Sequence, residues 1–381
     1  VKKEFYLVYI LYFCIFCIFL YLFRQIYLKK KSNIISKMDE NLEQKIVKNR
    51  KELKKEIKPS TIKMYISNIK KLSKLMNDGE EKGGTQWLKD MSKVKDKLME
   101  KKENGKALHY SSVRNYMNSV IIYLYALNDK GSTDDLIEKY SEYRDQLNKQ
   151  YEDEVSQGTW SDKQGQNVIT MEELHKVIND IGNELKDMKL KNLEKINSRQ
   201  KSLLQVYMIL NIHSVIPMRN DLAGMMVIKK RVYNKLSEEQ KKDRNYLVLQ
   251  KNDMFFCLND YKTNRKYSEK CIPLGPELKK VVRFYLKFNN SEYLLTRNDG
   301  EPMTRNAISQ VLIKTFRKRT GKSVSTNLLR KIYLSHRYSE VKEEMQKDAD
   351  MMGHSVGLQQ KVYVKKPVAS KEQEEEKTDE E

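Results

Sequence analysis

Residues 59–76, "PSTIKMYISNIKKLSKLM", place Ile62, Tyr65, Ile66, Ile69, Leu72 and Met76 on one helical face, behind a Pro59–Ser60 start signal. Residues 38 to about 58 are charged and helical in composition. After a "DGEEKGG" turn come "TQWLKDMSKVKDKLMEK", a strongly apolar helix over 111–127, and a further helix within 133–154. This reads as an all-helical unit. "VSQGTWSDKQGQN" has no apolar periodicity and two glycines, and reads as a linker.

A second pattern begins at "ITMEELHKVINDI", where Thr170 and Glu173 form a capping-box signature. "QKSLLQVYMILNIHSV" is apolar enough to be core. Three short runs then read as strands: "NYLVLQ" (245–250), "DMFFCLND" (253–260) and "EKCIPL" (269–274). A tight "KN" turn joins the first two and a polar loop, "YKTNRKYS", joins the last two. Helices dominate again from Leu278, best defined in "MTRNAISQVLIKTFRKR" and "TNLLRKIYLSHRYSEV". No internal repeat is present. The fold class expected is mainly α with a small antiparallel sheet: a helical domain followed by an α+β domain.

Charge sharpens this picture. The 381 residues carry +21, with 39% hydrophobic and 33% charged residues, so a core is possible under a heavily charged surface. The final "KEQEEEKTDEE" is acidic, so the rest of the chain is more basic still. Such an excess repels itself unless it meets a polyanion, and nucleic acid is the commonest. A lysine-rich, AT-rich coding background accounts for part of it. Lys63, Lys70, Lys71 and Lys74, on the polar side of the 59–76 helix, are the candidate phosphate contacts of the first unit; a solvated face is the plain alternative.

Four cysteines, 14, 17, 257 and 271, suggest neither a disulfide framework nor a zinc site, and a reducing compartment is expected. Residues 5–23 lack any charge and match a membrane span in length. The chain opens on Val1 and its first methionine is Met38, so residues 1–37 read as upstream translation or an anchor, the former preferred. No membrane partner is expected otherwise. "TGKS" at 320–323 lacks the first glycine of a phosphate loop, since Phe316 stands there.

Five polar residues of the second unit carry the functional signal: Arg219 in "SVIPMRNDLAGM", Lys262 in "LNDYKTNRK", Arg330 in "TNLLRKIYLSH", His354 in "MGHS" and Tyr363 nine positions later. Taken singly, the arginines are ordinary helix-surface residues, the lysine a solvated loop residue and the His–Tyr pair packing. Their order, spacing and setting resemble the tyrosine recombinases, the phage-integrase family. "YKT" after a strand, "LLR" with a histidine six positions on (His336), "GHS" before the tyrosine, and the "ST…Y" helix of Ser60, Thr61 and Tyr65 all carry the likeness, over roughly residues 40–367. The resemblance implies a helical core-binding domain at 38–154, a linker at 155–168, a catalytic domain at 169–367 and an acidic disordered tail at 368–381. It further implies a homotetramer clamping double-stranded DNA inside the cell, in cytoplasm or nucleus, with no cofactor and no metal.

In such chemistry Tyr363 attacks phosphorus and holds the 3′-phosphate as an ester, saving the phosphodiester energy. Arg219 and Arg330 match the phosphate bidentately and His354 donates another hydrogen bond. Lys262 corresponds to the family's general acid. No carboxylate cluster of the two-metal kind is present. There are two departures. Asn327 stands where the family has histidine, and asparagine cannot accept a proton at neutral pH; His336 or water would have to serve as base, or Asn327 only orients. Asp221 lies two residues after Arg219, where the family's acidic residue lies three after. Type IB topoisomerase chemistry and a non-catalytic DNA-binding relic remain alternatives. The codon background and these departures lean towards a large DNA virus, virophage or mobile element.

Overall fold

The computed structural model describes residues 41–53, 57–103, 105–128, 131–156, 158–262, 264, 268–353 and 355–360. The chain divides into two compact units, 1–159 and 160–381. It is mainly helical with a small four-stranded sheet in the second unit and a two-residue antiparallel pairing, Lys102–Glu103 with Lys106–Ala107, in the first, which the sequence read as all-helical. The apolar stretch 5–23 lies outside the described residues. Among those described, no helix is long and apolar enough to cross a membrane.

The first unit is built on helices α1 (41–52), α2 (Pro59–Met76), α3 (Met91–Glu100), α4 (Tyr110–Leu127) and α5 (Asp134–Ser156). The apolar face read for α2 is the one that turns inward: Ile62, Ile66, Ile69 and Leu72 are buried. Helix α4 is apolar on most of its circumference and packs against both α2 and α5. Polar groups in this core are paired, with Tyr140 donating to the Leu88 carbonyl at 2.9 Å and Asn68 to Ser119 Oγ at 3.0 Å. Helix α5 runs to Ser156, past the start of the segment read as a linker, and Asp162–Gly165 forms a helical turn.

The second unit surrounds helix α7 (Ser198–Val215), which packs against α6 (Met171–Asp187), α8 (Pro276–Leu286) and α10 (Thr326–Met351). α9 spans Arg305–Thr320. The Thr170–Glu173 capping box is present at the start of α6, and a second, Asn197–Gln200, starts α7. "TGKS" is the end of α9: Gly321 adopts the left-handed conformation (φ 74°) of a helix C-terminus.

The sheet has the order β1 (Met226–Lys229), β2 (Tyr246–Leu249), β3 (Met254–Leu258), β4 (Lys270–Pro273). The three strands read from the sequence form antiparallel pairs, but β1 adds a parallel pair with β2, so the sheet is mixed rather than antiparallel. Leu247, Met254, Phe256 and Leu258 face the main core, while Tyr246, Val248 and Cys257 pack under Tyr233. The central strands β2 and β3 are buried on both faces, which is why they read as continuous apolar runs, while the edge strand β4 is mostly exposed.

The cysteine expectation needs correcting. Cys257 and Cys271 are directly opposite each other on β3 and β4, with Cα atoms 4.0 Å apart, and form a disulfide. Register brings them together, and sequence spacing alone does not reveal register.

Candidate active site

Arg219 lies in the turn that links α7 to β1. Asp221, two residues on, is buried, so the turn is anchored through its acid and shows its arginine to solvent. Arg330 sits in the second turn of α10. Its neighbours Leu328, Leu329 and Ile332 are buried in the core, which leaves Asn327 and Arg330 on the outward face. Arg330 Nε donates to the Pro217 carbonyl at 3.0 Å, tying the helix to the Arg219 turn. Its Nη1 reaches Asn327 Oδ1 at 3.4 Å.

The two arginines, distant in sequence, line one cavity of about 440 Å³ with Asp221, Leu258, Tyr261, Lys270 and Ile272. The charge balance of its wall is cationic: two guanidiniums and an ammonium against one carboxylate. Burial, then the neighbouring Arg219 charge, lowers Arg330 from the ordinary arginine value. Burial pushes the Asp221 carboxyl up, opposed by Arg305 and Arg219. With more cations than carboxylates on its wall, the cavity's chemistry fits an oxyanion.

Several supporting residues carry no sequence signal. Asn245, buried at the start of β2, donates to the carbonyls of Asp221 (2.9 Å) and Asp260 (3.0 Å). Its Oδ1 accepts from the backbone N–H groups of Asn259 and Asp260, both at 2.9 Å. Arg305 bridges Asp260 at 3.3 Å and Asp221 at 3.8 Å. Asn220 fixes the turn from the other side, donating to the Arg305 carbonyl at 2.7 Å and to Ser309 Oγ at 2.8 Å. His213, on α7, is 1% exposed, and neither ring nitrogen has a hydrogen-bond partner among the described residues. Burial, then the Arg330 charge, lowers its pKa to about 4.

The remaining sequence candidates divide. Lys262 is exposed in the loop after β3 and does not line the cavity, although Tyr261 beside it does. His354 and Tyr363 lie outside the described residues. His336 is exposed on α10; six helical residues from Arg330 place it roughly 9 Å further along the axis and about 240° round it. It is therefore poorly placed to serve the cavity as a base. In the first unit Lys63, Lys71 and Lys74 are exposed and Lys70 is half-buried; Lys74 pairs with Glu81 at 2.9 Å. Among the described residues one group has metal-ligand types in proximity, Cys257, Glu269 and Cys271, and its two sulfurs are bonded to each other.

No protein-family model and no curated protein sequence matches the chain. Among solved structures it is similar to XerA recombinase, at 13% identity over 89% of this chain and 98% of that one, with a TM-score of 0.29. It is similar to the Tn1549 transposon integrase, solved in complex with transposon right end DNA, at 13% identity over 84% and 98%, with a TM-score of 0.31. It is also similar to XerH site-specific recombinase bound to difH substrate, at 10% identity over 80% and 94%, with a TM-score of 0.29. At these scores no position is carried across from them.

Proposed function

We propose that this chain is a site-specific DNA recombinase of the tyrosine type, which cuts and rejoins double-stranded DNA through a 3′-phosphotyrosine ester. The observation that carries the reading is the meeting of Arg219 and Arg330 on one cationic cavity, in a chain whose later residues supply His354 and Tyr363 in the matching order. Tyr363 is the nucleophile. Arg219 and Arg330 hold the non-bridging oxygens of the phosphorane, and His354 adds a hydrogen bond. The family resemblance names Lys262, in the loop after β3, as the source of the proton for the departing 5′-oxygen. Asn327, bonded to Arg330, orients that guanidinium and takes no proton. The basic surface binds phosphates, and assembly as a homotetramer on two duplexes goes with this chemistry, without a small-molecule cofactor.

The test is a suicide substrate, a duplex nicked so that cleavage releases a short strand and traps the adduct. Wild type should form a protein–DNA adduct, and Tyr363→Phe, which loses only the hydroxyl, should form none. Equal adduct formation in both would remove the assignment.

Asn327 favours a second reading, a non-catalytic DNA-binding relic of the same fold. It predicts retained DNA binding and no adduct from wild type.

A further inference from the structure

We propose that Lys270, on β4, is the ammonium that protonates the leaving 5′-oxygen. The inference rests on the recombinase reading and assigns a role within it that Lys262 would otherwise fill. Three features of the sheet support it.

The first is register. Lys270 lies directly opposite Leu258, and Ile272 opposite Phe256. Strand side chains alternate between faces. Leu258, Lys270 and Ile272 all line the cavity that holds Arg219 and Arg330, while Cys271 between the last two is turned to the other face and bonded to Cys257. The disulfide fixes the alternation, so Lys270 is held to the arginine side.

The second is what the alternative lysine does. Tyr261 is buried against the cavity and its hydroxyl donates to the Ser268 carbonyl at 2.9 Å. That ring occupies the inward position at the start of the loop; Lys262 and Lys270 are both exposed, but of the two only Lys270 lines the cavity. A general acid must come within hydrogen-bond reach of the atom it protonates, and geometry is decided before acidity.

The third is rigidity and pairing. A strand holds a functional side chain more firmly than a loop does. Among the described residues, no carboxylate lies within ion-pair distance of the Lys270 ammonium. It is therefore not committed to a structural salt bridge there.

The step balances. A Tyr363 Oη–P bond forms as the phenolic proton passes to water, and the P–O5′ bond breaks. The 5′-oxygen takes a proton from Lys270, leaving a 5′-hydroxyl and a neutral amine. Rejoining reverses each transfer.

The experiment compares wild type, Lys262→Met and Lys270→Met on two suicide substrates. One carries the natural bridging 5′-oxygen and the other a bridging 5′-sulfur, whose thiolate leaves without a proton. Thermal melting checks that each variant is folded. Lys270→Met should lose about 10²–10⁴-fold in adduct rate on the oxygen substrate, the ordinary worth of general acid catalysis, and recover to within about tenfold of wild type on sulfur. Whatever Lys262→Met loses, sulfur should not restore. Rescue by sulfur of Lys262→Met instead, or of both variants alike, overturns the assignment. So does a folded Lys270→Met whose defect persists on sulfur. Absence of adduct from wild type on both substrates overturns the recombinase reading itself, which is a separate result from wild type cleaving and Lys270→Met cleaving equally well.

Discussion

The two faces of the β3–β4 hairpin are made from alternate residues of the same strands, and they differ in kind. One face carries Leu258, Lys270 and Ile272 into a charged cavity. The other carries the Cys257–Cys271 bond and packs under Tyr233 beside Tyr246. One is open and cationic; the other is tied covalently, with Cys257 buried beside Tyr233 and Tyr246 and Cys271 exposed on β4. The difference shows how one hairpin serves two ends, with alternate residues supplying a cavity wall and a covalent tie that fixes the register of that wall.

The comparison can be broken most severely from the cavity side. Arg330→Ala should lower the rate of adduct formation by about 10²–10³-fold, the usual loss on removing one transition-state donor, and Arg330→Lys should recover little of it because an ammonium lacks the planar fork. Single-turnover cleavage measures this. Recovery by lysine to near the wild-type rate would mean that charge alone, not shape, is what the cavity needs.

The closed side gives the next effect. Cys257→Ser/Cys271→Ser should cost about 3 kcal/mol of stability, because the loop closed by two cysteines 14 positions apart no longer constrains the unfolded chain. Urea unfolding of the variant beside the oxidised wild type reads it, and hydrogen exchange should place the loosening in 254–273.

A third prediction separates the cavity's charge from its foundation. His213 is buried and neutral, with its pKa lowered to about 4. The unfolded chain binds this proton below its ordinary value of about 6.5, and the folded chain resists it until about 4. The unfolded state therefore binds more protons in that window, and stability falls as pH drops through it, by up to about 3 kcal/mol. His213→Leu should flatten this part of the curve in urea titrations at pH 7 and pH 4.5. An unchanged pH dependence would mean that carboxylates alone set it.

Much of this was legible in the sequence because the signals were local. The α2 stripe of isoleucines, the Thr170–Glu173 box and the three apolar runs each declare themselves within a few residues. β1 did not, because "MVIK" is four residues long and has no alternation, and its parallel partner lies beyond an excursion of the chain. Arg219 and Arg330 were found by order and setting. Lys270 was not, since a lysine in a strand has a side only once the register is known. The same holds for the cysteines. Asn245 and Arg305 were invisible for another reason: their importance lies entirely in distant partners, the Asp221 and Asp260 segments.

Asn245 has one more consequence. A single amide is bonded at once to the segment bearing Arg219 and to the root of the loop bearing Lys262. Those two stretches are yoked, like two oars on one shaft. A displacement of either drags the other, so the site should loosen or tighten as a whole instead of one residue at a time.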